Sequence, residues 1–196
     1  TGRIGRAFAE ICRGFGMRVV CCDPYPARIE GCRNVSLDAL LRESDVISLH
    51  CPLTEETHHM INEKTISEMK KGVVIVNTSR GGLIDAEALL QGIKERKVGA
   101  ACLDVYEEEG DVFFRDISGH ILEDDTLARL ISMPNVLVTS HQAFFTREAM
   151  TNIAEVTLQN VSDCMEGREL VNCICYQCDG NRQCPGKKPD SPACHA

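Results

Sequence analysis

A chain of 196 residues, 43% hydrophobic and 26% charged, has the balance of a globular domain with a sizeable core and a small appendage. Its net charge of −8 argues against non-specific binding to nucleic acid and against an anionic membrane surface as partner. No apolar run approaches the ~20 residues that span a bilayer, although a chain that does not begin with Met leaves open a targeting segment upstream.

The first element is signalled by "RAFAEICRGFG", where Phe8, Ile11, Cys12 and Phe15 fall at helical spacing and Gly16 is a natural stop. "MRVVCCD" and "DVISLHC" then read as strands, and "NEKTISEMKKG" as a helix with Asn62 as N-cap and Gly72 as stop. "VVIVNT" is a strand, "DAEALLQGIKERK" a helix, and "GAACLDV" and "NVLVTS" are strands. Short apolar runs alternating with amphipathic helices predict an α/β fold, a doubly wound parallel sheet covered on both faces. No internal repeat or long linker interrupts this pattern before about Gly167.

The twelve cysteines fall into two groups. Cys12, Cys21, Cys22, Cys32, Cys51, Cys102 and Cys164 are scattered through apolar or helical stretches, as free thiols acting as small hydrophobes are. That distribution predicts a cytoplasmic protein. Cys173, Cys175, Cys178, Cys184 and Cys194 instead crowd into a tail with no apolar periodicity. CxCxxC followed by His195 could bind zinc, but it lacks the paired CxxC spacing of common structural sites. The tail is therefore expected to be an unstructured extension or sequence foreign to the native protein, and no metal site is assigned.

In a parallel α/β sheet, ligands gather at the carboxyl ends of the strands. Here those ends carry Asp23; Cys51 and Pro52; Thr78, Ser79 and Arg80; Asp104 to Glu109; and Ser140 with His141. Gly2 and Gly5 have the spacing of the second and third glycines of a GxGxxG phosphate turn. In that turn the second glycine admits a pyrophosphate to the backbone and the third lets the helix approach its strand. The glycines alone are equally a simple turn. Asp23, ending a strand 21 residues after Gly2, adds a carboxylate for ribose hydroxyls and favours NAD over NADP. Arg80 in "NTSRGG" could grip a carboxylate through two parallel hydrogen bonds. His141 in "TSHQAFF" could exchange a proton with a carbonyl oxygen. Glu109 could orient that imidazole. Each of the three, alone, is equally an ordinary surface or structural residue; together they describe hydride transfer at a 2-oxo or 2-hydroxy acid.

Several ordered segments carry a resemblance: "TGRIGRAFAEI", "DVISLHCPLTEETHHMIN", "VIVNTSRGGLID", "LDVYEEEGDVFF" and "NVLVTSHQAFFT". From Thr1 to about Val171 the sequence resembles the D-isomer-specific 2-hydroxyacid dehydrogenases, and within them the lactate-forming branch. The resemblance implies a Rossmann-type NAD-binding domain (1–145), a helix leading back to a substrate domain (146–171) and the Cys-rich tail (172–196). It implies catalytic roles for Arg80, Glu109 and His141. It also implies cofactor contacts from Gly2, Arg3, Ile4, Gly5, Asp23, Cys51, Pro52, Thr57, Thr78, Ser79 and Asp104.

The bulky "HQAFFT" and the long "GDVFFRDISGHILEDDTLARL" resemble the lactate branch more than relatives acting on glyoxylate, hydroxypyruvate or phosphoglycerate. Glu109 stands where formate dehydrogenases of this fold carry Gln. The implied substrate is a small 2-oxo acid such as pyruvate, and the implied assembly a homo-oligomer, expected to be a dimer. A non-enzymatic NAD-sensing protein of the same fold is the alternative, since such relatives keep the Arg, Glu and His. The family's N-terminal substrate domain and the first strand of the nucleotide-binding sheet have no counterpart in these 196 residues. The chain expressed alone is therefore expected to be unstable or inactive.

Overall fold

The computed structural model describes residues 1–25, 29–113, 122–168, 170 and 172. Two compact units result, residues 1–143 and residues 144–196. The first unit runs α1 (Arg3–Gly14), β1 (Val20–Cys21), β2 (Arg33–Asn34), α2 (Leu37–Glu43), β3 (Val46–Leu49), α3 (Glu63–Glu68) and β4 (Val73–Asn77). It continues through a 3-10 turn (Gly81–Leu83), α4 (Ala86–Lys94), β5 (Val98–Leu103), α5 (Glu109–Val112), α6 (Asp125–Ser132) and β6 (Val136–Val138). The second unit contributes α7 (Arg147–Met165), capped by the Thr146 hydroxyl, which accepts from the Ala149 N–H.

All paired strands are parallel, in a two-stranded group β1–β2 and a four-stranded group in the order β3–β4–β5–β6. Parallel neighbours need crossover connections, and α3, α4 and α6 supply them. Steps that all move the same way across a sheet, each right-handed, put their helices on one face. Accordingly α2, α3, α4 and α6 touch one another in succession. The strand residues facing them, Ile47, Leu49, Val73, Ile75, Val98, Ala101 and Leu103, are buried. Their alternates Val74, Val76 and Cys102 are only partly covered. The sequence predicts cover on both faces; among the described residues one face is sealed and the other half open.

Helix starts follow from side-chain caps. The Asn62 carboxamide accepts from the Thr65 N–H while the Thr65 hydroxyl accepts from the Asn62 N–H. This reciprocal box satisfies two donors that a helix start otherwise leaves unpaired. Ser36, Asp85 and Asp124 cap α2, α4 and α6 in the simpler one-bond form. Gly16 and Gly72 take positive φ of 78° and 84° at the predicted stops, conformations that glycine adopts without strain. The core behind the sheet includes Leu41, Ile61, Ile66, Leu83, Leu89, Leu127 and Leu130. Each such side chain contributes about 1.5–3 kcal/mol by leaving water.

Two expectations change. The strand predicted over "MRVVCCD" shrinks to Val20–Cys21, because only two residues find ladder partners in β2. The stretch "DDTLARL", assigned to a long loop, is the body of α6, with Leu127 and Leu130 fully buried at i, i+3. The tail from 173 onwards, and with it the zinc alternative for CxCxxC, lies outside the described residues.

Candidate active site

Strand β4 ends on Asn77, a polar residue 1% exposed at a core-facing position. Its carboxamide donates to the Arg80 carbonyl at 2.8 Å and accepts from the Ser79 N–H at 3.0 Å. The Thr78–Arg80 turn is thereby held from beneath by one side chain. The Ser79 hydroxyl donates to the Cys51 carbonyl at 2.7 Å and so ties the loop after β3 to the loop after β4. Within the loop after β3, the Thr57 hydroxyl donates to the Pro52 carbonyl at 2.7 Å and accepts from the Thr54 N–H at 2.8 Å. The sequence reading assigns Cys51, Pro52, Thr57, Thr78 and Ser79 to the cofactor; the structure gathers them on two loops that brace each other.

Arg80 is exposed, and its Nη1 donates to the Ser79 carbonyl at 2.7 Å. Its neighbour Gly81 presses against the next loop. A Cβ on Gly81 would fall 2.1 Å from the carbonyl carbon and oxygen of Tyr106, so only glycine lets these backbones lie this close. The Arg80 turn therefore packs directly on the loop that carries Glu107 and Glu109.

Glu109 begins α5, and its Oε1 lies 2.9 Å from His141 Nδ1. Its other oxygen accepts from the Tyr106 N–H at 3.2 Å. Since a carboxylate only accepts, Nδ1 carries the proton in this contact. The Tyr106 side chain is buried, and burial together with its hydrogen bond to Asp124 pushes the phenol's pKa up. The Glu109 loop is thus pinned to the α6 cap.

His141 has a positive φ of 53°, an uncommon conformation for a side-chain-bearing residue. Asp104 holds it there. The Asp104 carbonyl accepts from the His141 N–H at 2.6 Å. The buried Asp104 carboxylate accepts from the Thr139 hydroxyl at 2.5 Å and from the Gln142 and Ala143 N–H groups at 2.8 and 2.9 Å. Burial pushes its pKa up, but these three donors and the nearby His141 outweigh it and hold the carboxyl below its ordinary value. Asp104, expected as a cofactor contact, is in this structure the anchor of the His141 turn.

Asp23 follows β1, in the two-stranded group. The Thr1 hydroxyl and the Tyr25 N–H donate to its carboxylate at 2.6 and 2.8 Å. Gly2 is the N-cap of α1 and offers no side-chain hydrogen bond to the helix start. No acidic residue lies in the first turn of α1, and Arg3 and Ile4 there are exposed. Open N–H groups, the positive end of a helix and no competing carboxylate suit a pyrophosphate. The sequence reading misses Asn77 and Tyr106, because each acts through backbone contacts that no motif announces. A polar residue at the buried phase of "VVIVN" was the one available signal for Asn77.

Known proteins resemble this chain over most of its length. Residues 1–143 match the family described as D-isomer specific 2-hydroxyacid dehydrogenase, NAD binding domain. The chain is 51% identical over 175 residues to D-lactate dehydrogenase of Escherichia coli, covering 88% of this chain and 53% of that protein. It is similar to the crystal structure of a D-lactate dehydrogenase from Treponema pallidum, with a TM-score of 0.85 and 42% identity over 90% of this chain and 54% of the other. It is also similar to the D-lactate dehydrogenase of Aquifex aeolicus complexed with NAD and lactic acid, with a TM-score of 0.79 and 40% identity over 85% and 52%. The chain spans about half the length of the curated relatives it matches. With a Rossmann-type parallel sheet and a paired Glu109 and His141, the chain belongs to the D-isomer-specific 2-hydroxyacid dehydrogenases, as their NAD-binding domain.

Proposed function

We propose that this chain supplies the nucleotide-binding half of an enzyme that reduces pyruvate to D-lactate at the expense of NADH. The observation that supports this best is the 2.9 Å contact between Glu109 and His141, set beside the Arg80 turn by the close approach of Gly81 to Tyr106. When bound, the nicotinamide supplies the hydride. The residues of this chain handle everything else at that end of the sheet.

In this reading Asp23 accepts from the ribose hydroxyls, and the α1 start, with Gly2, Arg3, Ile4 and Gly5, receives the pyrophosphate. Cys51, Pro52, Thr57, Thr78 and Ser79 line the two braced loops along which the rest of the dinucleotide lies. Arg80 holds the substrate carboxylate and polarises the carbonyl. Glu109 keeps Nδ1 of His141 protonated, so Nε2 is the atom that gives a proton to the carbonyl oxygen as the hydride arrives.

Positioned acid catalysis is typically worth ~10² to 10⁴ in rate, or roughly 3–5 kcal/mol of barrier. His141→Ala in the complete enzyme is expected to lose that much turnover while NADH affinity, read by quenching of its fluorescence, stays near wild type. Turnover within a few-fold of wild type would remove His141 from the proton path. By family analogy the complete enzyme is proposed to be a cytoplasmic homodimer. No described helix is long and apolar enough to cross a membrane.

A further inference from the structure

On the flank of the catalytic loop, outside the groups assigned to hydride or proton transfer, His58, His59 and Glu107 come together. His59 Nε2 lies 2.6 Å from Glu107 Oε1 and His58 Nε2 lies 3.8 Å from the same oxygen. The two imidazoles stack with centroids 3.9 Å apart and planes 24° apart. One potential ligand atom from each residue falls within 4.8 Å of the other two.

We propose that His58, His59 and Glu107 bind one divalent transition-metal ion of the zinc type, with a fourth position open to water. Two imidazole nitrogens and one carboxylate oxygen form a donor set that zinc accepts, and three protein ligands leave a tetrahedral ion one exchangeable position. Bonds of ~2.0–2.1 Å at tetrahedral angles place ligand atoms roughly 3.3 Å apart. The observed 2.6 and 3.8 Å bracket that spacing.

The scaffold fixes two of the three ligands. His59 has a φ of 49°; its N–H donates to the Gly82 carbonyl at 2.8 Å, and its carbonyl accepts from the Asn62 carboxamide at 2.8 Å. Glu107 follows Tyr106, whose backbone is wedged against Gly81. His58 supplies the adjustment. Stacked rings point their lone pairs side by side, so closure on a shared ion requires one ring to tilt. The His58 side chain, 54% exposed, has room to do so, and Gly82 presents no Cβ against it.

Binding displaces the proton that His59 shares with Glu107, because a ligating imidazole nitrogen must be unprotonated. The ion would stitch the loop after β3 to the loop that carries Glu109. Nothing in the assignment depends on the dehydrogenase reading, since the metal itself is what is measured.

The test titrates the complete enzyme that contains this chain, its exposed thiols alkylated with iodoacetamide, with zinc chloride by calorimetry and with cobalt chloride by visible absorption. One ion per chain is expected, with a cobalt spectrum of low coordination number and no thiolate charge-transfer band. His58→Ala and Glu107→Gln should each weaken binding by more than ~10-fold, the lower bound for losing even an outer partner of a ligand. No uptake by the alkylated enzyme, or uptake unchanged in His58→Ala, overturns the site. Because His58 is a solvent-facing side chain, that variant decides the matter even if Glu107→Gln does not fold.

Discussion

Asp104 shows how much one carboxylate can organise. Its oxygens take a hydroxyl and two backbone N–H donors from the segment 139–143, while its own carbonyl takes the His141 N–H. Replacing it by Asn trades one acceptor oxygen for an NH2 group facing donors, so at least one of these N–H groups loses its partner. Asp104→Asn is expected to cost about 1–3 kcal/mol and to lower turnover by loosening His141. The pH dependence has a definite sign. A carboxyl whose folded pKa is depressed contributes stability above its unfolded value of ~3.9 and loses it as pH falls through the folded value. The melting-temperature gap between wild type and Asp104→Asn should therefore be full at neutral pH and shrink below about pH 4. A gap that stays constant into acid would show that charge on Asp104 has no part in holding the turn.

At the scale of elements, the contact between the Arg80 turn and the Glu109 loop rests on the missing side chain of Gly81. A methyl there must push back the Tyr106 and Glu107 backbone rather than a flexible side chain. Gly81→Ala should cost about 1–3 kcal/mol as overpacking does, and the displacement should raise KM for the 2-oxo acid and lower kcat together. A variant that melts like wild type with unchanged KM would mean the two loops do not depend on each other. The fold was legible in the sequence where period and punctuation coincide: the α3 cap at Asn62, the α4 helix, the stops at Gly16 and Gly72, and strands β3 to β6. It was illegible where an element is short or is made by its partners. Strand β2 holds two exposed residues, and α2 and α6 are stretches of 7 and 8 residues whose caps, Ser36 and Asp124, precede too few turns for a helical period to show. Of the site, the residue types announced themselves, and Glu109 meets His141 as the spacing suggests. The work of Asn77 and Gly81 lies in backbone contacts across loops, which no linear pattern encodes.

For the molecule as a whole, the division of the sheet sets a gradient of local stability. Strands β4 and β5 have ladder partners on both sides, and Ile75 in β4 is fully buried. Strands β1 and β2 share two residue pairs and join no other described strand. Opening free energies scale with such burial and ladder protection, from near zero at frayed edges to the global value in a core strand. Native-state hydrogen exchange should therefore find the slowest amides at Ile75, Val76 and Cys102 and fast exchange at Arg33 and Asn34. The functional groups divide along the same line. Asp23 sits at the end of the weak pair, whereas Asn77, Asp104, Glu109 and His141 hang from the strong group. A ligand stabilises most what it holds and what was least stable without it. Added NADH should thus slow exchange in β1 and β2 by a larger factor than in β4. Equal slowing throughout would mean that the two groups of strands open as one unit, and that the gap between them is no energetic boundary.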